Sequence, residues 1–322
     1  MDVWDPGGAV LVAERRQLTN VAYRLLGSLT EAEDAVQEAY ARWYAMPAAR
    51  RAAIGSPGAW LTTVAGRICL DVLGSARARR EKYVGAWLPE PLPDRTEWGR
   101  GGGSGGPDDP ADRVVLDDSV NMAFLVVLET MTPAERVAFV LHDVFRYPFA
   151  EIAAVVGRTP AACRQLAASG RRRVRGASAA GSAPGTPGDP AGRTGPRGAG
   201  GAVAEQARLV REFKVAWEAA DVSALVALLD PDAVMTADGG GLVGTVLRPV
   251  AGSGPIAQYV RAIADKAPGL VLLERQVNGR PGLVAQHGGM TATVAAFAVT
   301  DTHITDIWVI RNPAKLGPWL TP

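Results

Sequence analysis

The sequence predicts a multidomain chain, two all-α segments followed by an α+β domain. Three observations predict it. Residues 91–111 centre on a Gly/Ser block with acids, and residues 176–202 are almost wholly Gly, Ala, Pro, Ser and Thr. Both stretches are too poor in large apolar residues to pack, so they read as flexible linkers. They leave three packed segments, 10–90, 112–175 and 203–320. Apolar residues recur at helical spacing through the first two, whereas the third changes from helical to strand-like periods partway along.

Bulk composition narrows the class of protein. A chain of 322 residues with 48% hydrophobic and 21% charged residues has enough apolar material for several cores. Cys69 and Cys163 lie far apart, no Cys-x-x-Cys pair occurs, and there are only three histidines. Buried reduced thiols are therefore expected, with no disulfide framework, no metal site and no cofactor. The N-terminus lacks a basic start followed by a long apolar run, and no stretch reaches the ~20 apolar residues that span a bilayer. No membrane association and a cytoplasmic location are expected.

In the first segment, Thr30 and Glu33 have the spacing of a capping box. The helix they would open puts Ala35, Val36, Ala39, Tyr40 and Trp43 on one face. Glu31, Glu33, Asp34 and Glu38 against Arg42 make it acidic, which suits either a solvated face or a dock for a basic protein partner. A second helix starts around Pro57 and runs through residues 61–73. Over 67–82 it gathers Arg67, Arg77, Arg79, Arg80 and Lys82 against Asp71 and Glu81, net +3, and it follows Trp60. A basic helix beside aromatic side chains can hold duplex backbone and catch unstacked bases.

The second segment repeats the capping logic with Thr132, Pro133 and Glu135. Residues 149–156 put Phe149, Ile152, Ala153 and Val156 on one face, and Gly157 supplies a left-handed stop. Thr159 then caps a new helix with Pro160 in its first turn. Its expected inward face is Cys163, Leu166, Gly170 and Val174; its outward face is Arg164, Gln165, Ala168, Ser169 and Arg172. Residues 157–176 hold six arginines and no acid. Two short helices across a glycine turn, the second basic outside, make a helix-turn-helix whose counter-charge is expected to be phosphate. Small Ala161 and Ala162 allow close approach, Arg164 and Gln165 suit base edges, and Arg158, Ser169, Arg171, Arg172, Arg173 and Arg175 suit phosphates. The plainer alternative is a helical hairpin with a solvated basic end.

The runs LTNVAYRLLGSLTEAEDAVQEAYARWY from 18, AWLTTVAGRICLDVLGSARARREK from 59 and MTPAERVAFVLHDVFRYPFAEIAAVVGRTPAACRQLA from 131 resemble regions 2 and 4 of bacterial sigma factors. They fit the extracytoplasmic-function (ECF) class, which keeps only those two helical domains. YVGAWLPEPL at 83–92, DGGG at 238–241 and NPAKL at 312–316 resemble the subgroup with a fused SnoaL-like C-terminal domain. The resemblance implies transcription initiation rather than catalysis, with RNA polymerase core and promoter DNA as partners. It implies that Glu33, Asp34, Gln37, Glu38 and Trp43 dock on the clamp helices of the polymerase β′ subunit. Trp60, Arg67, Asp71, Ser75, Arg77, Arg79, Arg80 and Lys82 would read and help melt the −10 element, flipping a base from the stack. Arg158, Thr159, Ala161, Ala162, Arg164, Gln165, Ser169, Arg171, Arg172 and Arg173 would engage the −35 element.

In the third segment, residues 203–217 form an amphipathic helix and Asp221 caps a second over 222–228. Strand-like runs follow at 233–237 and 241–247, then a helix at 256–267 and four strands at 270–278, 282–287, 290–300 and 303–310. Helices followed by an antiparallel meander suit a cone-shaped NTF2/SnoaL-like fold around a pocket, which would hold an unidentified small ligand. Its ten Lys/Arg and eleven Asp/Glu argue against a third DNA grip. Asp238, His287, Asp301 and His303 are the acid/base candidates, although each sits at a turn. The resemblance points instead to regulation in cis through Trp87, Leu88 and Pro89 with Asp238, Gly239, Gly240, Gly241, Asn312 and Lys315. Two other functions fit parts of the pattern: a ligand-sensing helix-turn-helix regulator, and a SnoaL-like cyclase or isomerase with a DNA-binding appendage.

Overall fold

The computed structural model describes residues 6–80, 83–94, 120–179 and 199–320. These divide into two compact units, one holding 6–79 with 128–173, the other 83–94, 120–127, 174–179 and 199–320. The division departs from boundaries drawn at 90 and 112. Both helical segments contribute to one unit, and residues 83–94 belong with the α+β domain. The reason is burial: Leu88 and Leu92 are almost fully enclosed, and an extended proline-rich stretch has no helix face with which to enclose them.

The first unit opens with α1 (Pro6–Leu26), α2 (Leu29–Ala45), α3 (Ala48–Ala52) and α4 (Pro57–Arg80). The cap of α2 is Ser28, whose Oγ accepts the Glu31 amide at 3.3 Å, rather than the expected Thr30. The helix begins earlier because Leu29 joins its buried stripe with Ala32, Val36, Ala39 and Trp43. Along α4, Leu61, Ala65, Cys69 and Leu73 repeat at four-residue spacing and are buried. Burial pushes the Cys69 thiol up to about 12, as suits an inert core cysteine.

The chain resumes with α5 (Met122–Glu129), α6 (Pro133–Phe139), a wider turn at Val140–Val144, α7 (Phe149–Val156) and α8 (Pro160–Ala179). The expected box at α6 is reciprocal: Thr132 Oγ1 accepts the Glu135 amide, and Glu135 Oε2 accepts the Thr132 amide at 2.9 Å. Gly157 ends α7 with φ of 68°. The buried stripe of α8 is Cys163, Ala167, Gly170 and Val174, so Ala167 takes the inward place expected of Leu166. A Cβ on Gly170 would lie 2.8 Å from Phe139 Cβ; the helices approach too closely there for any side chain. Within the same unit α7 rests on α4. Val155 fills the space a Cβ on Gly66 would need, and Arg67 donates to the Ala154 carbonyl at 2.7 and 3.1 Å.

The second unit contains α9 (Ala199–Glu218), α10 (Val222–Leu228), β1 (Leu229–Asp238), β2 (Val250–Ala251), α11 (Ser253–Lys266), β3 (Val271–Val277), β4 (Arg280–His287), β5 (Met290–Thr300) and β6 (His303–Ile310). The strands form one sheet in the order β2-β1-β6-β5-β4-β3. β3 to β6 are the expected antiparallel meander, while β1 adds to β6 in parallel. The run at 241–247 is not a strand, because Gly240 and Gly241 take positive φ and turn the chain out of the sheet. Side chains alternate between two cores, as a pleated strand requires. Ala295 and Phe297 face a helix-covered core with Phe213, Leu225 and Ile256. Val294, Ala296 and Ala298 face a second core with Leu88, Leu316 and Trp319.

Candidate functional site

On the outer side of α8, Thr159 Oγ1 caps the helix by accepting the Ala162 amide at 3.2 Å. Arg158, Ala161, Arg164 and Gln165 are exposed around that first turn, and Ala162 is half-buried. The Arg164 guanidinium lies over the Phe149 ring, 5.6 Å from its centroid. Arg172 is exposed further along the same helix. Three of the residues assigned to phosphate are engaged inside the unit instead. Ser169 Oγ donates to Glu135 Oε1 at 2.7 Å, Arg171 pairs with Asp143 at 2.8 Å, and Arg173 lies 3.5 Å from Glu135. The segment lacks acids of its own, but acids on the preceding helices supply part of its counter-charge. Burial opposes ionisation of Glu135, yet the hydrogen bonds from Ser169 and Thr132 and the charge of Arg173 outweigh it and hold the carboxyl below its usual value.

On α2, Asp34, Gln37 and Glu38 are exposed and Glu33 is half-buried. Glu38 pairs with Arg42 at 2.8 Å, both ends in solvent. Trp43 is buried and packs against Trp60 with ring centroids 5.3 Å apart, so it braces the acidic helix from within and does not belong to its outer surface. Trp60 itself is half-buried at the start of α4. Asp71 and Ser75 are exposed farther along, Ser75 donating to the Val72 carbonyl. Arg67, assigned to DNA, is occupied by Ala154 in this arrangement. Arg77, Arg79 and Arg80 lie on the last turns of α4 with side chains outside the described residues, as is Lys82 entirely.

Within the second unit, three sequence-distant motifs converge. Asp238, at the end of β1, has no solvent exposure. Its carboxylate accepts from Tyr83 Oη at 2.6 Å, the Leu88 amide at 2.9 Å, the Gly240 amide at 3.0 Å and Lys315 Nζ at 2.7 Å. Lys315 also donates to the Leu88 carbonyl, and its ammonium sits 4.0 Å above the Trp87 ring. Asn312 Nδ2 donates to Tyr83 Oη at 2.8 Å, and a Cβ on Gly240 would collide with the Asn312 amide. Gly239 and Pro89 are buried beside this cluster, while Gly241 is exposed next to Val84. Burial and the Asp238 carboxylate together push the Tyr83 phenol well above its usual value. Residues 83–94 thus form a strap strung on buried polar bonds.

Two residues outside the strap also hold it, and sequence reasoning alone does not single them out. Asn278 exchanges hydrogen bonds with the Leu92 backbone at 2.8 and 3.0 Å and donates to the Val120 carbonyl at 2.9 Å. Trp319 Nε1 donates to the Pro91 carbonyl at 2.8 Å. Asn278-Gly279 reads in sequence simply as a hairpin turn, which it also is. The acid/base candidates are not brought together. Asp238 is locked under the strap, Asp301 and His303 flank the β5–β6 turn, and of the four only His287 lines the cavity of the domain.

Residues 11–80 match the family Sigma-70 region 2, and residues 121–174 match Sigma-70, region 4. The chain is 37% identical over 313 residues to the ECF RNA polymerase sigma factor SigJ of Mycobacterium tuberculosis, covering 94% of this chain and 91% of that protein. It is 34% identical to the probable ECF RNA polymerase sigma factor SigI of the same species, covering 99% and 97% respectively. The crystal structure of M. tuberculosis SigJ matches with a TM-score of 0.72 at 33% identity, over 97% of this chain and 98% of that one. Among the described residues no helix is long and apolar enough to cross a membrane. With two sigma regions in order, and relatives of that class aligned along nearly its whole length, the chain belongs to the extracytoplasmic-function sigma factors of the sigma-70 family, carrying an α+β domain behind regions 2 and 4.

Proposed function

We propose a division of labour for this alternative sigma factor, which brings the RNA polymerase core to promoter DNA. The exposed acids Asp34 and Glu38, with Gln37, form the dock for the clamp helices of the β′ subunit. The basic end of α4 takes the −10 element. The exposed start of α8, with Arg158, Arg164 and Gln165, and Arg172 further along it, take the −35 element. The work is done in the cytoplasm, where polymerase and template are found. The observation that carries this reading is the charge pattern: one exposed acidic helix face and two basic helices on a single chain. A repressor acting alone has no use for the acidic face.

The α+β domain controls access to polymerase in cis through the strap. Residues 83–94 follow closely on the end of α4 in the chain, so whatever holds the strap limits how the basic end of that helix is presented. The pairing of Lys315 with Asp238, closed over Leu88, supports that role. The test is run-off transcription with purified core polymerase. Replacing Asp34 and Glu38 by Ala is expected to weaken core binding with helix content unchanged; wild-type affinity would remove α2 from the dock. Tyr83→Phe with Asn312→Ala loosens the strap while leaving the Asp238–Lys315 pair intact. This variant is expected to change promoter output, and unaltered output across promoters would reject control in cis.

A further inference from the structure

The second unit holds a partly open cavity of about 830 Å³ between the sheet and α9 and α11. That volume lies within the range of sites that take drug-sized small molecules. Its inner wall follows the pleat of the sheet. Leu283, Ala285 and His287 of β4 line it, as do Thr293, Ala295 and Phe297 of β5. Ile307 and Val309 of β6, and Arg311 just beyond the strand, continue the same alternation.

Register separates the deep end of this wall from its rim. Leu283 pairs with Ala295, and Phe297 pairs with Ile307, which makes the interior apolar. One row further out, Leu272, Ala285 and Thr293 pair across β3, β4 and β5, at the strand ends where His287 and Arg311 also lie. Lys266, the last residue of α11, reaches the cavity from the segment that leads into β3. All the positive and titratable cationic groups of the lining are therefore gathered at one rim, and no carboxylate lines the cavity among the described residues.

The rim also holds polar atoms without a use. Arg311 donates one guanidinium N–H to the Gly244 carbonyl, which sets it beside Thr245. Arg311 Nε and Thr245 Oγ1 are both buried and lack any hydrogen-bond partner. Both atoms are sealed from solvent, so what an occupant of the cavity meets at this wall is the cationic charge of Arg311, which lines it, rather than these two atoms.

We propose that this cavity binds an amphipathic monoanion, an apolar or aromatic body carrying one carboxylate that meets Arg311 and Lys266 at the rim. The apolar body is enclosed by Phe213, Trp217, Leu283 and Phe297. The Arg311 and Asn312 amides both donate to the Asp238 carbonyl, at 2.8 and 3.0 Å, so the occupant adjoins the strap cluster through one residue of backbone.

The test is calorimetric titration of the full chain, which reads binding directly and does not depend on control in cis. Decanoate and 1-naphthaleneacetate are each compared with the neutral amide of the same body. At least one carboxylate is expected to bind about ten- to a hundredfold more tightly than its amide, the span of a hydrogen bond to a charged group. Lys266→Met, at an exposed helix end, and Arg311→Met are each expected to erode that preference. Ala285→Trp, which fills the cavity, is expected to abolish binding of both forms. No binding by any probe, amides equal to carboxylates, or a preference indifferent to both cation substitutions would each overturn the proposal.

Discussion

Asp238 is a fully enclosed carboxylate, and its neighbours explain how it can be. A buried ion is tolerated only when its desolvation is answered by a counter-ion and by hydrogen bonds. Here three neutral donors and one ammonium answer it, drawn from the strap, its own turn and the segment at 312–316. Removing one member of such a pair leaves the other charged and unaccompanied. Lys315→Met is therefore expected to destabilise the second unit by about 3–5 kcal/mol. Adding Asp238→Asn to it should restore a substantial part of the stability, because the enclosed group is then neutral. Urea unfolding followed by tryptophan fluorescence measures both. Equal destabilisation in the single and double variants would mean that the two residues are not energetically coupled.

At the scale of the element, α8 was legible in sequence and its charge was legible only in part. Gly157, Thr159 and Pro160 mark its start through local backbone chemistry, which acts without reference to the rest of the fold. Which arginines face DNA depends on which acids the neighbouring helices present, and that is a tertiary fact. Asp143 pairs with Arg171, and Glu135 holds Ser169 and lies 3.5 Å from Arg173, which like Arg172 stays exposed. The same limit explains Trp43, whose helical spacing is fixed but whose partner Trp60 lies on another helix. It explains Asn278 as well, since a turn asparagine gives no local sign of a strap 186 residues away. The distinction is measurable. Arg172→Ala is expected to reduce the salt dependence of promoter binding by about one unit of slope, because one phosphate fewer is neutralised and its counterion stays on the DNA. Arg171→Ala is expected to leave that slope unchanged and to lower thermal stability, since it strands the buried Asp143. Equal effects of the two substitutions on the slope would mean that Arg171 leaves Asp143 for phosphate.

At the scale of the molecule, the first unit holds the two helices proposed to read DNA in an arrangement that a promoter could not engage at both elements. The −10 and −35 elements lie about two helical turns apart, ~70 Å of duplex. Yet α7, the first helix of the helix-turn-helix, is seated directly on α4, with Val155 in the notch left by Gly66 and Arg67 satisfied by Ala154. On the proposed assignment, regions 2 and 4 are expected to part before both elements are held at once, a step that would free Arg67 from the Ala154 carbonyl. A covalent tie between the two helices tests this. A Cβ on Gly66 would lie 3.7 Å from Val155 Cβ, within the range a disulfide bridges. The native thiols do not compete, since Cys69 and Cys163 are both buried and Cys69 is held protonated by its burial. The Gly66→Cys, Val155→Cys variant is expected to support promoter-dependent transcription when reduced and to lose it when oxidised, with activity returning on reduction. Full run-off activity of the oxidised protein would show that the two regions read a promoter without separating.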